Sequence, residues 1–135
     1  MNDYIKIRRL AFKYKELSFI KALAIMKMNK EPVFKKLFIK RCEINTTREL
    51  KRIVNYISLY EAVFERTLKM LGTDFERELV KEVCKKGKSV NKTSIDMYIS
   101  PSMVERALKK FILHFMNNLS SSVRIISPLM AIKRK

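Results

Sequence analysis

The sequence predicts an all-α protein, with a helical lobe in its N-terminal half and a helix-turn-helix in its C-terminal half. Apolar residues recur at spacings of three and four along most of the chain, which is the period of a helix with one buried face. The 135 residues include only 2 glycines and 3 prolines. β-Sandwiches usually show a turn signal about every 8–12 residues, and glycine-rich phosphate loops need more glycine, so both are excluded.

The chain is strongly basic, with 30 Lys and Arg against 13 Asp and Glu, a formal net charge of +17. Residues 1–52 carry a net +10 and residues 120–135 a net +4. A field of this sign attracts polyanions, so nucleic acid is the first partner to consider and an anionic membrane surface the second. We expect no membrane-spanning helix and no signal peptide, since no long apolar run is free of charges.

The first helix is predicted over residues 3–28, and Pro32 follows its end. A short and very basic helix is predicted over residues 33–41. Residues 1–72 together form the predicted basic lobe, which would serve dimerisation, a partner or contact with the DNA backbone. Cys42 and Cys84 provide no disulfide framework, and we expect reduced thiols in a cytosolic protein.

A long helix is predicted from Thr46, which forms a capping box with Glu49, to a C-terminal Gly72. Apolar residues on it repeat at alternating steps of three and four over three heptads, which predicts a seam to other helices of the chain or to a second copy. The seam residues are Leu50, Ile53, Ile57, Tyr60, Phe64, Thr67 and Leu71.

The next helix opens with a second capping box, in which Thr73 pairs with Glu76. We predict that Phe75, Leu79, Val83 and Cys84 form its inner face. Lysines followed by Gly87 end it, as expected at the negative end of a helix dipole.

Residues 73–119 form the predicted DNA-binding region. Ser89 can cap a short helix over residues 90–97, with Val90 and Ile95 facing inward, and Ile99 lies buried in the turn. Ser100-Pro101 then starts a longer helix, because proline is favoured at the first helical position. Its buried face is predicted to consist of Val104, Leu108, Phe111, Ile112, Phe115 and Leu119.

This spacing is typical of a helix-turn-helix, which places the start of its second helix in the major groove of DNA. Arg106 can bond guanine O6 and N7, and Glu105 can accept from cytosine N4. Met103 either contacts a thymine methyl or packs. The other candidates are Ser102 for a base edge or a phosphate, Ser100 as the cap, and Lys88, Lys92, Lys109 and Lys110 for phosphates.

The segment KGKSVNKTSIDMYISPSMVERALKKFILHFMNNL resembles region 4 of bacterial sigma factors and related activators. With a basic helical lobe in front, the chain looks like the short phage late-transcription regulators of the ArpU and RinA type. In residues 1–72 the likeness is only architectural, and Met103 stands where that family more usually has a small or hydroxylated residue. The resemblance implies an activator of phage or mobile-element late genes, bound to the nucleoid of the bacterial host. RNA polymerase or a regulatory protein would then be a partner.

No catalytic constellation is visible, so we predict a non-enzyme without metal or cofactor. The single histidine, His114, lacks a nucleophile nearby and is expected to be partly buried. The alternative function is a basic helical interaction protein that binds RNA, an acidic protein or an anionic membrane surface. Residues 120–135 are expected to be a flexible basic tail or a docking segment.

Overall fold

The computed structural model describes residues 2–28 and 47–120, and within these ranges the chain is helical without strands. The all-α prediction is therefore confirmed. The predicted helix over 33–41, the Thr46 cap, Cys42 and the tail from residue 121 lie outside the described residues. The helices are α1 (Asn2–Ala11), α2 (Tyr14–Met28), α3 (Thr47–Lys69), α4 (Asp74–Val80), α5 (Val90–Met97) and α6 (Pro101–Ser120), and a π-helical turn (Lys81–Lys85) continues α4.

The helices share one core, in which α6 contacts α1, α3, α4 and α5. Aromatic rings form its centre: Phe64 of α3 lies 4.7 Å from Phe111 and 5.7 Å from Phe115 of α6, measured between ring centroids. Residues before and after position 72 thus contribute to the same core. None of the described helices is long and apolar enough to cross a membrane.

The heptad seam of α3 is an internal contact. All seven seam residues are buried, and they pack in the core that α3 shares with α2 and α6. The structure therefore does not support a homodimer through Leu50, Ile53, Ile57, Tyr60, Phe64 and Leu71, because these side chains are already covered within one chain.

The first predicted helix is interrupted at Phe12 and Lys13, which separate α1 from α2. The hydroxyl of Tyr60 on α3 donates to the carbonyl oxygen of Leu10 at 2.7 Å and approaches that of Ala11 at 3.3 Å. At this break the Leu10 carbonyl accepts from the Lys13 amide at 3.1 Å, one residue short of its helical partner. The Tyr60 hydroxyl adds a second bond to this carbonyl inside the core, where burial raises the pKa of the phenol well above its usual value.

The connection from α3 to α4 differs in part from the prediction. The helix ends at Lys69, and Gly72 does not adopt a left-handed conformation. Thr73 is the cap of α4, since its hydroxyl accepts from the Glu76 amide at 3.1 Å. Leu79, Val83 and Cys84 are buried as predicted, whereas Phe75 is 42% exposed in the first turn.

Candidate nucleic-acid interface

The helix pair α5–α6 begins with the predicted caps. The Ser89 hydroxyl accepts from the Lys92 amide at 3.0 Å and starts α5. Before it, Gly87 has φ +74°, the left-handed conformation expected of a glycine that ends a helix. A Cβ at Gly87 would also lie 3.1 Å from Lys15, so glycine is favoured by space as well.

A Schellman turn joins the two helices. The Ile99 amide donates to the Ser94 carbonyl at 3.0 Å and the Tyr98 amide to the Ile95 carbonyl at 3.3 Å, as that motif requires. Tyr98 takes the left-handed conformation, with φ 56° and ψ 43°. Ile99 then turns inward and packs against the core, where it is partly buried rather than fully buried as predicted.

The inner face of α5 matches the prediction at Val90 but not at Ile95. Thr93 and Ser94 are buried, and Val90 and Met97 pack beside them against the core. These four positions follow the spacing i, i+3, i+4, i+7 and fill the inward side of a two-turn helix. Ile95 therefore points outward and is 69% exposed, contrary to the prediction.

The start of α6 is held by hydroxyl groups. The Ser100 hydroxyl lies 3.1 Å from that of Ser102 and 3.4 Å from the Met103 amide, which is consistent with a weak cap. The predicted buried face is confirmed: its six residues are fully buried. That face fixes the rotation of α6 and leaves the opposite side at the surface.

The surface side of α6 carries an exposed stripe of Ser102, Arg106 and Lys109, spaced i, i+4, i+7. Such residues lie above one another on one helix face. Neither Arg106 nor Lys109 forms an ion pair with any described residue. Met103 adjoins the stripe and is 41% exposed, so it does not fill the core. The stripe therefore presents two cations unpaired within the described residues and a hydroxyl, with the Met103 thioether beside them.

Two other candidates on α6 are bound to neighbouring helices. Glu105 pairs with Arg8 of α1, with its oxygens 3.0 and 3.2 Å from one guanidinium nitrogen. Lys110 contacts Glu76 of α4 at 3.2 Å. The Lys110 hydrogen bond, aided by Thr73, lowers the pKa of the Glu76 carboxyl. These pairs flank the exposed stripe and fix α6 to α1 and α4, although exposed ion pairs contribute little energy singly.

The cations of α5 belong to a small network. Lys88 lies 2.6 Å from the buried Glu82 and 2.9 Å from Asp96, and both bonds raise its pKa. Lys88, a predicted phosphate contact, thus bridges the π-helical turn and α5. Lys92 pairs with Asp96 at 3.3 Å from an exposed position and remains accessible.

The remaining titratable groups show no catalytic arrangement among the described residues. His114 is partly buried as predicted. Burial raises the pKa of the Cys84 thiol to about 12, so it stays protonated at neutral pH. Within residues 2–28 and 47–120 no group of three or more potential metal ligands is found.

Sequence reasoning missed three residues of this region: Arg8, Ile95 and Tyr98. The Arg8–Glu105 pair joins positions 97 residues apart, which no local pattern reveals. The left-handed conformation of Tyr98 could be expected from the sequence, because a short helix followed at once by a turn needs a left-handed residue at its C-terminal end.

No protein-family model matches this sequence, and neither a curated protein nor a solved structure shows significant similarity to it.

Proposed function

We propose that the protein is a sequence-specific regulator of transcription that binds double-stranded DNA through α5 and α6. In this proposal α5 and α6 form a helix-turn-helix, and the first turns of α6 enter the major groove. The observation that carries the proposal is the exposed stripe of α6, whose Arg106 and Lys109 have no ion pair among the described residues while their neighbours Glu105 and Lys110 are held by the scaffold.

In the proposed complex, some residues of the stripe and its neighbours contact bases and others contact phosphates. Arg106 bonds guanine O6 and N7 as a bidentate donor, and Met103 contacts a thymine methyl. Ser102 meets a base edge or a phosphate, and Lys109 and Lys92 contact the DNA backbone. Glu105, held by Arg8, lies beside the groove and disfavours misplaced phosphates rather than reading cytosine.

The biological setting rests on the sequence resemblance. A regulator of the phage late-transcription type would bind a promoter of a phage or mobile element and activate late genes, in contact with RNA polymerase or a regulatory protein. The +17 net charge supports a polyanionic target, but it does not distinguish activation from repression.

A second surface favours the alternative function, a general polyanion binder. The outer side of α3 presents Arg48, Lys51, Arg52, Arg66 and Lys69, all exposed. The buried side of α3 packs on α6, so this basic side points away from α6. RNA, an acidic protein or an anionic membrane surface would suit it equally, without any sequence preference.

Selection from a random pool of DNA duplexes tests the proposal, with wild type, Arg106→Ala and Arg66→Ala compared. Arg66→Ala removes the same charge from the outer side of α3 and is the matched control. We expect wild type and Arg66→Ala to enrich one motif and Arg106→Ala to lose preference at one or more positions. Retention of duplexes without an enriched motif would support the general polyanion binder.

A further inference from the structure

Tyr98 has an unfavourable backbone conformation and an exposed side chain. The residue that closes a Schellman turn is usually glycine, because a Cβ disfavours the left-handed conformation. Tyr98 adopts it with φ 56°, and its ring is 94% exposed. Packing of the ring within the described chain therefore does not offset the conformational cost.

Ile95 accompanies Tyr98 one helical turn earlier and is 69% exposed. These two are the most exposed of the large hydrophobic side chains in the described ranges. They lie at the end of α5, immediately before α6 begins. An apolar contact surface of two residues thus adjoins the start of α6.

The charges around this surface favour a polyanion as its occupant. Asp96, the nearest acid in sequence, is neutralised by Lys88 at 2.9 Å and by Lys92 at 3.3 Å. Glu105 is neutralised by Arg8. Arg106 and Lys109 have no ion pair among the described residues, so the uncompensated charge on the adjoining helix α6 is positive.

We propose that Tyr98 and Ile95 form a DNA backbone contact at the edge of the groove, with the Tyr98 hydroxyl donating to a phosphate oxygen and Ile95 covering the adjacent deoxyribose. This inference rests on the proposed function. When the second helix of a helix-turn-helix lies in the groove, the first crosses the backbone, which brings the connection between them close to phosphates. Tyrosine hydroxyls are regular phosphate donors, and such contacts position the protein without reading sequence.

Binding of the full-length protein to a duplex of arbitrary sequence at low salt tests this contact. Tyr98→Phe removes only the hydroxyl, and we expect an about tenfold loss of affinity, as for a hydrogen bond to a charged group. The slope of log K against log salt should not change, because a neutral donor releases no counterion. Lys109→Ala, which removes a cation unpaired among the described residues and assigned to the DNA backbone, should instead lower that slope by about 0.9.

Three further variants separate the contact from folding. Tyr98→Gly relieves the left-handed strain, so the melting temperature should not fall while affinity drops at least as far as in Tyr98→Phe. Ile95→Ala should cost about threefold in affinity, whereas Leu59→Ala, which truncates an exposed apolar side chain on the outer side of α3, should cost nothing.

The outcomes distinguish this inference from the proposed function. If wild type binds DNA and Tyr98→Phe binds equally well, the backbone contact is refuted, while the proposed function is judged separately by the motif selection. A Tyr98→Phe variant that changes the preferred motif would refute the phosphate assignment, since a phosphate carries no sequence information. If wild type binds no duplex at all, both fail together.

Discussion

The hydroxyl of Tyr60 donates to the carbonyl oxygen of Leu10 at 2.7 Å, which joins the middle of α3 to the end of α1. Both groups are buried, so neither has water as a substitute partner. Because α1 carries Arg8, the partner of Glu105, this bond also supports the position of α1 beside the start of α6.

Tyr60→Phe should lower the free energy of unfolding by about 0.5–1.5 kcal/mol, because a buried hydrogen bond to the end of α1 is lost while the Leu10 carbonyl keeps the Lys13 amide as a donor. Urea unfolding measures the change. Tyr56→Phe is the control: Tyr56 is partly buried on the same helix and shows no hydrogen bond from its hydroxyl in the described structure, so its loss should be small. Equal losses in the two variants would mean that the Tyr60 bond contributes nothing specific.

Thr93→Val should stabilise the protein by about 1 kcal/mol. The Thr93 hydroxyl is fully buried on the inner face of α5 and has no hydrogen-bond partner among the described residues. An unsatisfied buried hydroxyl is costly, and valine keeps the shape without it. Thr93→Ala, which also removes the methyl and leaves a void, should be less stable than Thr93→Val. A destabilised Thr93→Val variant would show that the hydroxyl has a partner, such as a bound water.

Lowering the pH should weaken the ion pairs that Glu82 forms with Lys86 and Lys88. The bonds from Lys86 and Lys88 lower the pKa of the Glu82 carboxyl from its ordinary value of 4.5. A lowered folded-state pKa adds stability above the unfolded value, and this is lost as the pH falls through the folded pKa. Wild type should therefore exceed Glu82→Gln in stability at pH 7, and the difference should shrink below pH 4.5.

Unfolding midpoints of wild type and Glu82→Gln between neutral pH and the acid transition measure that difference. Glu78→Gln, an exposed change on the same helix, controls for the loss of one negative charge. A difference that stays constant with pH would contradict the assigned role of the Glu82 carboxylate.

Much of this fold follows from local signals in the sequence. Caps at Thr73, Ser89 and Ser100-Pro101 marked the helix starts, and the periodic apolar positions of α3 and α6 marked their buried faces. Such features depend on residues within a turn or two of one another, so the sequence contains them directly.

The predictions failed where a distant residue or a buried polar side chain determines the local structure. The break between α1 and α2 coincides with a hydroxyl 50 residues away, and Ile95 points outward because Thr93 and Ser94 occupy the inner side of α5. Hydropathy ranks isoleucine above serine and threonine, so the polar inner face of a short helix was missed. The internal roles of Lys88 and Glu105 depend on partners from other elements and were likewise not visible.

In the proposed complex the start of α6 reads base edges in the major groove through Arg106. Within the selected motif, each guanine is replaced in turn by 7-deazaguanine, which lacks the N7 acceptor, and the affinities of wild type and Arg106→Ala are compared. At one guanine the replacement should weaken wild-type binding, as part of the about 1–3 kcal/mol that a bidentate pair contributes, and should leave Arg106→Ala unaffected. Equal losses in both proteins at every guanine, or no loss anywhere, would contradict the claim that Arg106 reads a base.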